Sequence, residues 1–270
     1  GHQGVGFIGE AENHVETALS GGFIGIHQGN AVEQMPGIDQ QRGHGGAGKA
    51  LYRQECQRID LGAHIIGGGE IKDLTYARGL IHADDYVIAA DRGYARCQQM
   101  NLKPSLLLGD FDSYEGEIEV DCPIMEYPIE KDDTDTMLAI KVSLEKGFDE
   151  LLLLGMCGGR LDHTIANIQS VVYAVTHGAK AVIEDEDTYI TALCGGQTIM
   201  VPYREGFVLS VFSHTDLCKG VTLEDLYYPL EDGELSNTFP LGVSNHFLPG
   251  KDAKISLKEG IAVIISTREQ

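Results

Sequence analysis

Basic residues are scarce: 20 lysines and arginines stand against 41 aspartates and glutamates, a formal net charge of −21. That balance argues against nucleic acid as a partner, because binding a phosphate backbone needs a basic face. It leaves ATP open, since a divalent metal inverts the local field. No apolar run approaches the roughly 18 residues of a membrane span, so no membrane partner is expected, and no signal-peptide pattern opens the chain. The six cysteines (Cys56, Cys97, Cys122, Cys157, Cys194, Cys218) show neither CxxC nor another zinc spacing. They read as free thiols in a reducing cytoplasm. At 270 residues and 43% hydrophobic, the chain can bury a core in one or two domains.

Residues 1–60 lack any sustained period of 2 or 3.6 and hold 13 of the 34 glycines. Gly4–Gly9 (GVGFIG) matches GxGxxG but has no strand before it and no helix after it. Gly43–Ala50 (GHGGAGKA) approaches a Walker A loop, yet Ala50 stands where magnesium needs a hydroxyl. Both read as coincidences of a glycine-rich leader, expected to be poorly ordered. The missing initial Met suggests an expression remnant or a mis-assigned extension.

From His64 onward, short apolar runs each end in a loop with chemistry. HII runs into Gly67–Glu70 (GGGE), and Tyr86–Ala90 (YVIAA) runs into Asp91, Arg92 and Gly93. Leu106–Leu108 opens GDFDS, which carries Asp110, Asp112 and Ser113. Leu151–Leu154 runs into GMCGGRLDH and Ala181–Ile183 into EDEDT. Helical periods at Asp133–Gly147 and Asp162–Gly178 lie between such runs. Alternation of this kind predicts an α/β domain over 61–187, a parallel sheet with flanking helices of the Rossmann-like kind. The loops would then converge beyond the carboxyl ends of the strands. After Thr188 the segments TYITALC, QTIMVP, FVLSVFSH, GVTLEDLYY, AKISLKE and IAVIIST are of β type, predicting an all-β antiparallel sandwich over 188–270.

Three of the loops are acidic or basic in a way that suits a magnesium–polyphosphate site: GDFDS, Lys131–Thr136 (KDDTDT) and Gly158–His163 (GGRLDH). Each has a plainer reading. Asp and Ser favour turns, Asp132 and Asp135 suit a helix start, Arg160 suits a surface salt bridge, and any one glycine suits a turn.

GDFDS, KDDTD, GGRLDH and the late Gly242–Asn245 (GVSN) together resemble the thiamine pyrophosphokinase family, over about Ile65 to Thr267. The resemblance implies an α/β nucleotide-binding domain joined to a β-sandwich that binds thiamine and forms a homodimer. It implies transfer of the β,γ-diphosphate of ATP to the hydroxyl of thiamine, with release of AMP. On that reading Mg2+ sits on Asp110, Asp112 and Asp135, with Asp132 alongside. Lys131 and Arg160 draw charge from the moving diphosphate. Gly68, Gly69, Glu70, Asp91, Arg92, Gly93, Ser113, Thr134, Gly158 and Gly159 face ATP, and Ser244 and Asn245 face thiamine. Asp162 or His163 would orient or deprotonate the hydroxyl, an aspartate among the metal ligands being the alternative. Apolar surface for thiamine would come from Phe239, Leu241, Phe247, Tyr227 and Tyr228. The chain departs from the family in having no Trp, in His246 where an acidic residue is expected, and in its leader. A diphosphokinase for another alcohol, such as a hydroxymethyl pterin, or a non-catalytic nucleotide- or thiamine-binding module are the competing readings.

Overall fold

A computed structural model describes residues 62–110, 120–127 and 133–269, all within one unit, Tyr52–Gln270. The leader with its two glycine motifs lies outside the described residues, as do Asp112, Ser113, Lys131 and Asp132.

The apolar runs form strands because alternate side chains have a helical layer to meet on each face. Five of them are β1 (Ala63–Ile66), β2 (Tyr86–Ala90), β3 (Leu106–Gly109), β5 (Glu150–Leu154) and β6 (Lys180–Glu184). Ile65, Ile88, Leu108 and Leu153 pack with α3 (Asp135–Glu145) and α4 (Leu161–Thr176). Their neighbours Ile66, Val87, Leu107 and Leu152 pack with α1 (Leu74–Gly79) and α2 (Gly93–Gln99). Period-2 geometry thus turns one continuous apolar run into two buried faces. A short edge strand, β4 (Ile124–Glu126), adds to β3.

The order of the large sheet is β12-β9-β14-β7-β6-β5-β1-β2-β3-β4. Strands β6 through β4 in that order are parallel. From β7 (Thr188–Cys194) outward the pairing is antiparallel, through β14 (Ile261–Arg268) and β9 (Phe207–Ser213) to β12 (Asn245–His246). One mixed sheet therefore runs across residue 187, where the composition changes. A second sheet holds β11 (Leu230–Ser236), β10 (Leu217–Glu224), β13 (Ala253–Leu257) and β8 (Gln197–Val201). Leu209, Val211 and Ile264 of the first sheet share a buried cluster with Val221, Leu235 and Ile255 of the second.

The described cysteines Cys97, Cys122, Cys157, Cys194 and Cys218 are free thiols. Burial, the largest cause, pushes the Cys97 thiol up to about 12 and that of Cys157 to about 11, which favours the inert thiol form. No described helix is long and apolar enough to cross a membrane.

Gly93 shows how tightly α2 is seated. A Cβ there would lie 1.8 Å from the Ile66 carbonyl oxygen, a backbone atom that cannot swing away. Gly93→Ala is therefore expected to destabilise the fold by about 1–3 kcal/mol, as overpacking does. Gly79→Ala, with nothing within 4 Å of its Cβ position, should melt near wild type. Equal melting temperatures for the two variants would show that α2 shifts freely.

Candidate active site

Loops after β1, β2, β5 and β6, with Asp110 at the end of β3, line one edge of the parallel strands. The sequence moves outward from β1 through β2 and β3, then returns to place β5 on the other side of β1. Ligands of open α/β sheets bind in the crevice that such a reversal creates.

The floor of that crevice is two interlocked glycine loops. Gly67 donates its N–H to Leu154 O (2.8 Å) and Gly69 donates to Gly155 O (2.9 Å). A Cβ at Gly69 would stand 2.4 Å from the Gly155 oxygen, so glycine is needed there for close approach of backbone. The Gly69 amide is thereby occupied by protein. Gly68 is exposed, and a Cβ on it would meet Arg92 Cβ at 2.7 Å. Glu70 is exposed too, and Gly93 is buried against Ile66. Two side chains unremarked in the sequence brace these loops: Arg96 Nε donates to Gly69 O (2.9 Å), and Asn167 Nδ2 to Met156 O (2.8 Å). Their spacing carries no motif, so only the folded loops reveal them.

Beside this floor stands a carboxylate group. Asp91 follows β2 with φ 47°, its N–H bonded to Leu108 O at 2.7 Å. Its Oδ1 is buried and has no hydrogen-bond partner among the described residues. Burial, the main cause, holds the Asp91 carboxyl above its ordinary range. The nearby charges of Asp135 and Asp110 push it the same way, while the Arg92 N–H and charge oppose. Asp110 ends the β3 run and Asp135 opens α3, so three strand or helix ends aim negative charge at one place. Among the described residues no three such side chains make a complete metal site; Asp112 lies outside them. An orphaned, desolvated carboxylate oxygen facing like charge is nonetheless what a hard cation relieves.

The helix start beside it is built locally. Thr134 is the N-cap of α3, its hydroxyl accepting the Met137 N–H at 3.1 Å. Lys141 grips both oxygens of Asp133 at 2.9 and 2.7 Å, which fixes the loop end from the second helical turn. Gly158 and Gly159 have φ 83° and 71°, with nothing among the described residues within 4 Å of a Cβ placed on either, so conformation rather than crowding selects glycine. Arg160 follows, exposed, with Nε donating to Asp162 Oδ1 at 3.1 Å and Nη2 bonded to Oδ2. That pairing holds the Asp162 carboxyl below the usual range, which makes it a weak base. His163 is exposed in the same turn.

Ser244 and Asn245 are elsewhere. They sit at β12, the opposite end of the large sheet from β3 and β4. At about 4.8 Å per strand, eight spacings put them roughly 40 Å along the sheet from the Asp110 loop. Ser244 is exposed, with φ 57° and its N–H on Ser210 Oγ at 3.1 Å. Asn245 is buried: its Oδ1 accepts from the N–H groups of Tyr228 (2.9 Å) and His246 (3.0 Å), and Nδ2 donates to Tyr228 O (2.7 Å). The amide is thus bonded to the backbone that carries the tyrosines. Tyr227, Tyr228, Phe239, Leu241 and Val243 are exposed here. Phe247 corrects the expectation, because it is buried in the core between the sheets and offers no ligand surface. A hollow of about 250 Å³ opens nearby, between Val211–Ser213, Leu235–Ser236 and the 237–242 loop.

Comparison with known proteins converges on one family. Residues 77–183 match the family model "Thiamin pyrophosphokinase, catalytic domain" and residues 197–262 match "Thiamin pyrophosphokinase, vitamin B1 binding domain". The thiamine pyrophosphokinase of Bacillus subtilis is 28% identical over 214 residues, covering 76% of this chain and 98% of the relative. The crystal structure of a B. subtilis thiamine pyrophosphokinase superposes with a TM-score of 0.67 at 25% identity, over 77% of this chain and 99% of the other. That from Geobacillus thermodenitrificans gives 0.66 at 26%, over 77% and 98%. The chain belongs to the thiamine pyrophosphokinase family, a family of ATP-dependent diphosphotransferase enzymes.

Proposed function

We propose that this chain transfers the β,γ-diphosphate of ATP to the hydroxyl of thiamine, giving thiamine diphosphate and AMP. The observation that carries this reading is the half-buried Asp91 carboxylate, whose Oδ1 is buried with no partner among the described residues and which is pressed by Asp110 and Asp135 at the crevice edge. ATP would lie across the two glycine loops in a Rossmann-like manner, near Gly68, Arg92, Gly158 and Gly159. Asp91, Asp110 and Asp135, with Asp112, would hold Mg2+, which when bound neutralises charge crowded on the polyphosphate. Arg160 would exchange Asp162 for the diphosphate and, with Lys131, stabilise its charge during transfer. As the thiamine oxygen bonds to the β-phosphorus, the bond from that phosphorus to the AMP oxygen breaks, and the hydroxyl proton passes to a base. Asp162, paired and of lowered pKa, suits orienting Arg160 better than taking that proton. His163 or a carboxylate of the metal group is the better acceptor.

Thiamine would meet Ser244 and the exposed aromatic strip, with Asn245 positioning Tyr228. Because these lie roughly 40 Å along the sheet from Asp110 by strand spacing, a homodimer whose sites each draw on both chains fits the reading best. The free thiols suit a cytoplasmic enzyme.

The test is AMP release from ATP and Mg2+ with thiamine, with a hydroxymethyl pterin, and with neither. AMP released only with thiamine is expected. Release with the pterin alone would reassign the alcohol, and nucleotide binding without any AMP would make the chain a binding module.

A further inference from the structure

Resting on that reading, we propose that Arg204, Glu184 and Tyr76 form a positioning device that fixes the angle between the nucleotide edge and the antiparallel half. Tyr76 OH donates to Glu184 Oε1 at 2.7 Å. Arg204 Nη2 donates to Tyr76 OH at 3.1 Å and is ion-paired to the same Glu184 oxygen. Three atoms from three elements therefore close a triangle. Tyr76 lies on α1, just after the Gly67–Glu70 loop, Glu184 ends β6, and Arg204 lies between β8 and β9 in the antiparallel half. The charged pair is largely buried, at 11% and 8% exposure, and the Arg204 guanidinium lies over the Tyr189 and Phe207 rings at 5.7 and 5.4 Å.

The location explains why such a lock has work to do. The two halves share the sheet through only three β6–β7 pairs, Val182 with Thr191, Ile183 with Ile190 and Glu184 with Tyr189. Twist between neighbouring strands spans about 10–35° across sheets, and the packing of α4 against both β6 and β7 is apolar and non-directional. Small rotation about this pair would swing the far edge, where Ser244 lies, through a large arc. The triangle lies beside that pivot and joins both sides of it. Stability alone does not account for it, since a buried ion pair is often matched or bettered by apolar side chains of similar size. Charged hydrogen bonds supply direction, whereas apolar contact is non-directional.

The experiment compares Glu184→Gln, Arg204→Met and the double variant Glu184→Met/Arg204→Met with wild type. Each is followed by thermal melting, by kcat and KM, and by amide hydrogen exchange at Val182–Glu184 and Tyr189–Thr191. The singles should melt lower, and the double should regain most of the melting temperature. Its kcat should still be about 10-fold or more below wild type with both KM values within about 2-fold, because misplacement by about 1 Å can cost 10²-fold. Exchange at the pivot should be faster. A double variant with wild-type kcat and wild-type exchange would overturn the proposal and leave a purely structural pair. If the wild type itself releases no AMP, the proposed function fails, and exchange alone decides this inference: unchanged protection overturns it. Should the double variant not fold, Tyr76→Phe and Arg204→Lys serve. Both remove bonds of the triangle and keep the volume or charge, and undiminished kcat in both would likewise refute it.

Discussion

Asp91→Asn is expected to lower turnover by about 10²-fold or more, the scale of losing one transition-state electrostatic contact, without lowering stability. The sign of the second effect follows from the raised carboxyl. Since its folded-state pKa lies above the ordinary value, ionising Asp91 as pH rises through that pKa weakens the fold. An amide does not ionise, so at neutral pH the variant should melt at or above the wild-type temperature. Magnesium supplies an independent check. Added Mg2+ should raise the wild-type melting temperature, as any ligand of the native state does, and should raise that of Asp91→Asn little. Asp110→Asn should likewise lose turnover and most of the magnesium shift. Near-normal turnover at saturating Mg2+, with an undiminished magnesium shift, would remove either residue from the metal site.

Mixed dimers should recover activity that neither parent has. On the proposed homodimer reading, Asp110→Asn damages the nucleotide end, and Ser244→Ala/Phe239→Ala damages the exposed strip at β12, the other end of the sheet. Each homodimer should be nearly inactive. In an equal mixture half the dimers are mixed, and one of the two sites in each of those is intact, so about a quarter of wild-type activity should return by symmetry. Demonstrated mixed dimers with no recovery would place each site within one chain.

Much of the parallel half was legible because burial on both faces leaves an unmistakable trace. LLL, LLLL and YVIAA are strands, and the two longer helical periods are helices within a few residues. What escaped were elements without that trace. Helices α1 and α2 have six and seven residues, too few for a period. β4 is a three-residue edge strand whose Ile124 is exposed, and β11 (LEDGELS) is acidic and largely solvent-facing. The passage of one sheet across residue 187 was invisible because pairing of β6 with β7 is chosen by the whole fold, while composition changes there. In the site, Asp91 and Arg160 announced themselves by following apolar runs. The work of Gly69, Asn167 and Asn245 did not, since each is defined by a carbonyl or amide that reaches it from another loop.

The strand order also dictates a schedule for biosynthesis. Ala63 faces Tyr86 on one side and Leu151 on the other, so β1, the first of the described strands to leave the ribosome, gains its second neighbour only after β2, β3 and β4 have emerged. Until Leu151–Leu154 is available, β1 is an apolar strand with one unpaired edge, the kind of surface that recruits other chains. The interlocked glycines bind this delay to activity: Gly67 and Gly69 donate to carbonyls of Leu154 and Gly155, so the crevice floor cannot exist on a nascent chain that ends before them. Partial products of translation would therefore expose an unpaired apolar edge before the floor proposed to hold the nucleotide can form.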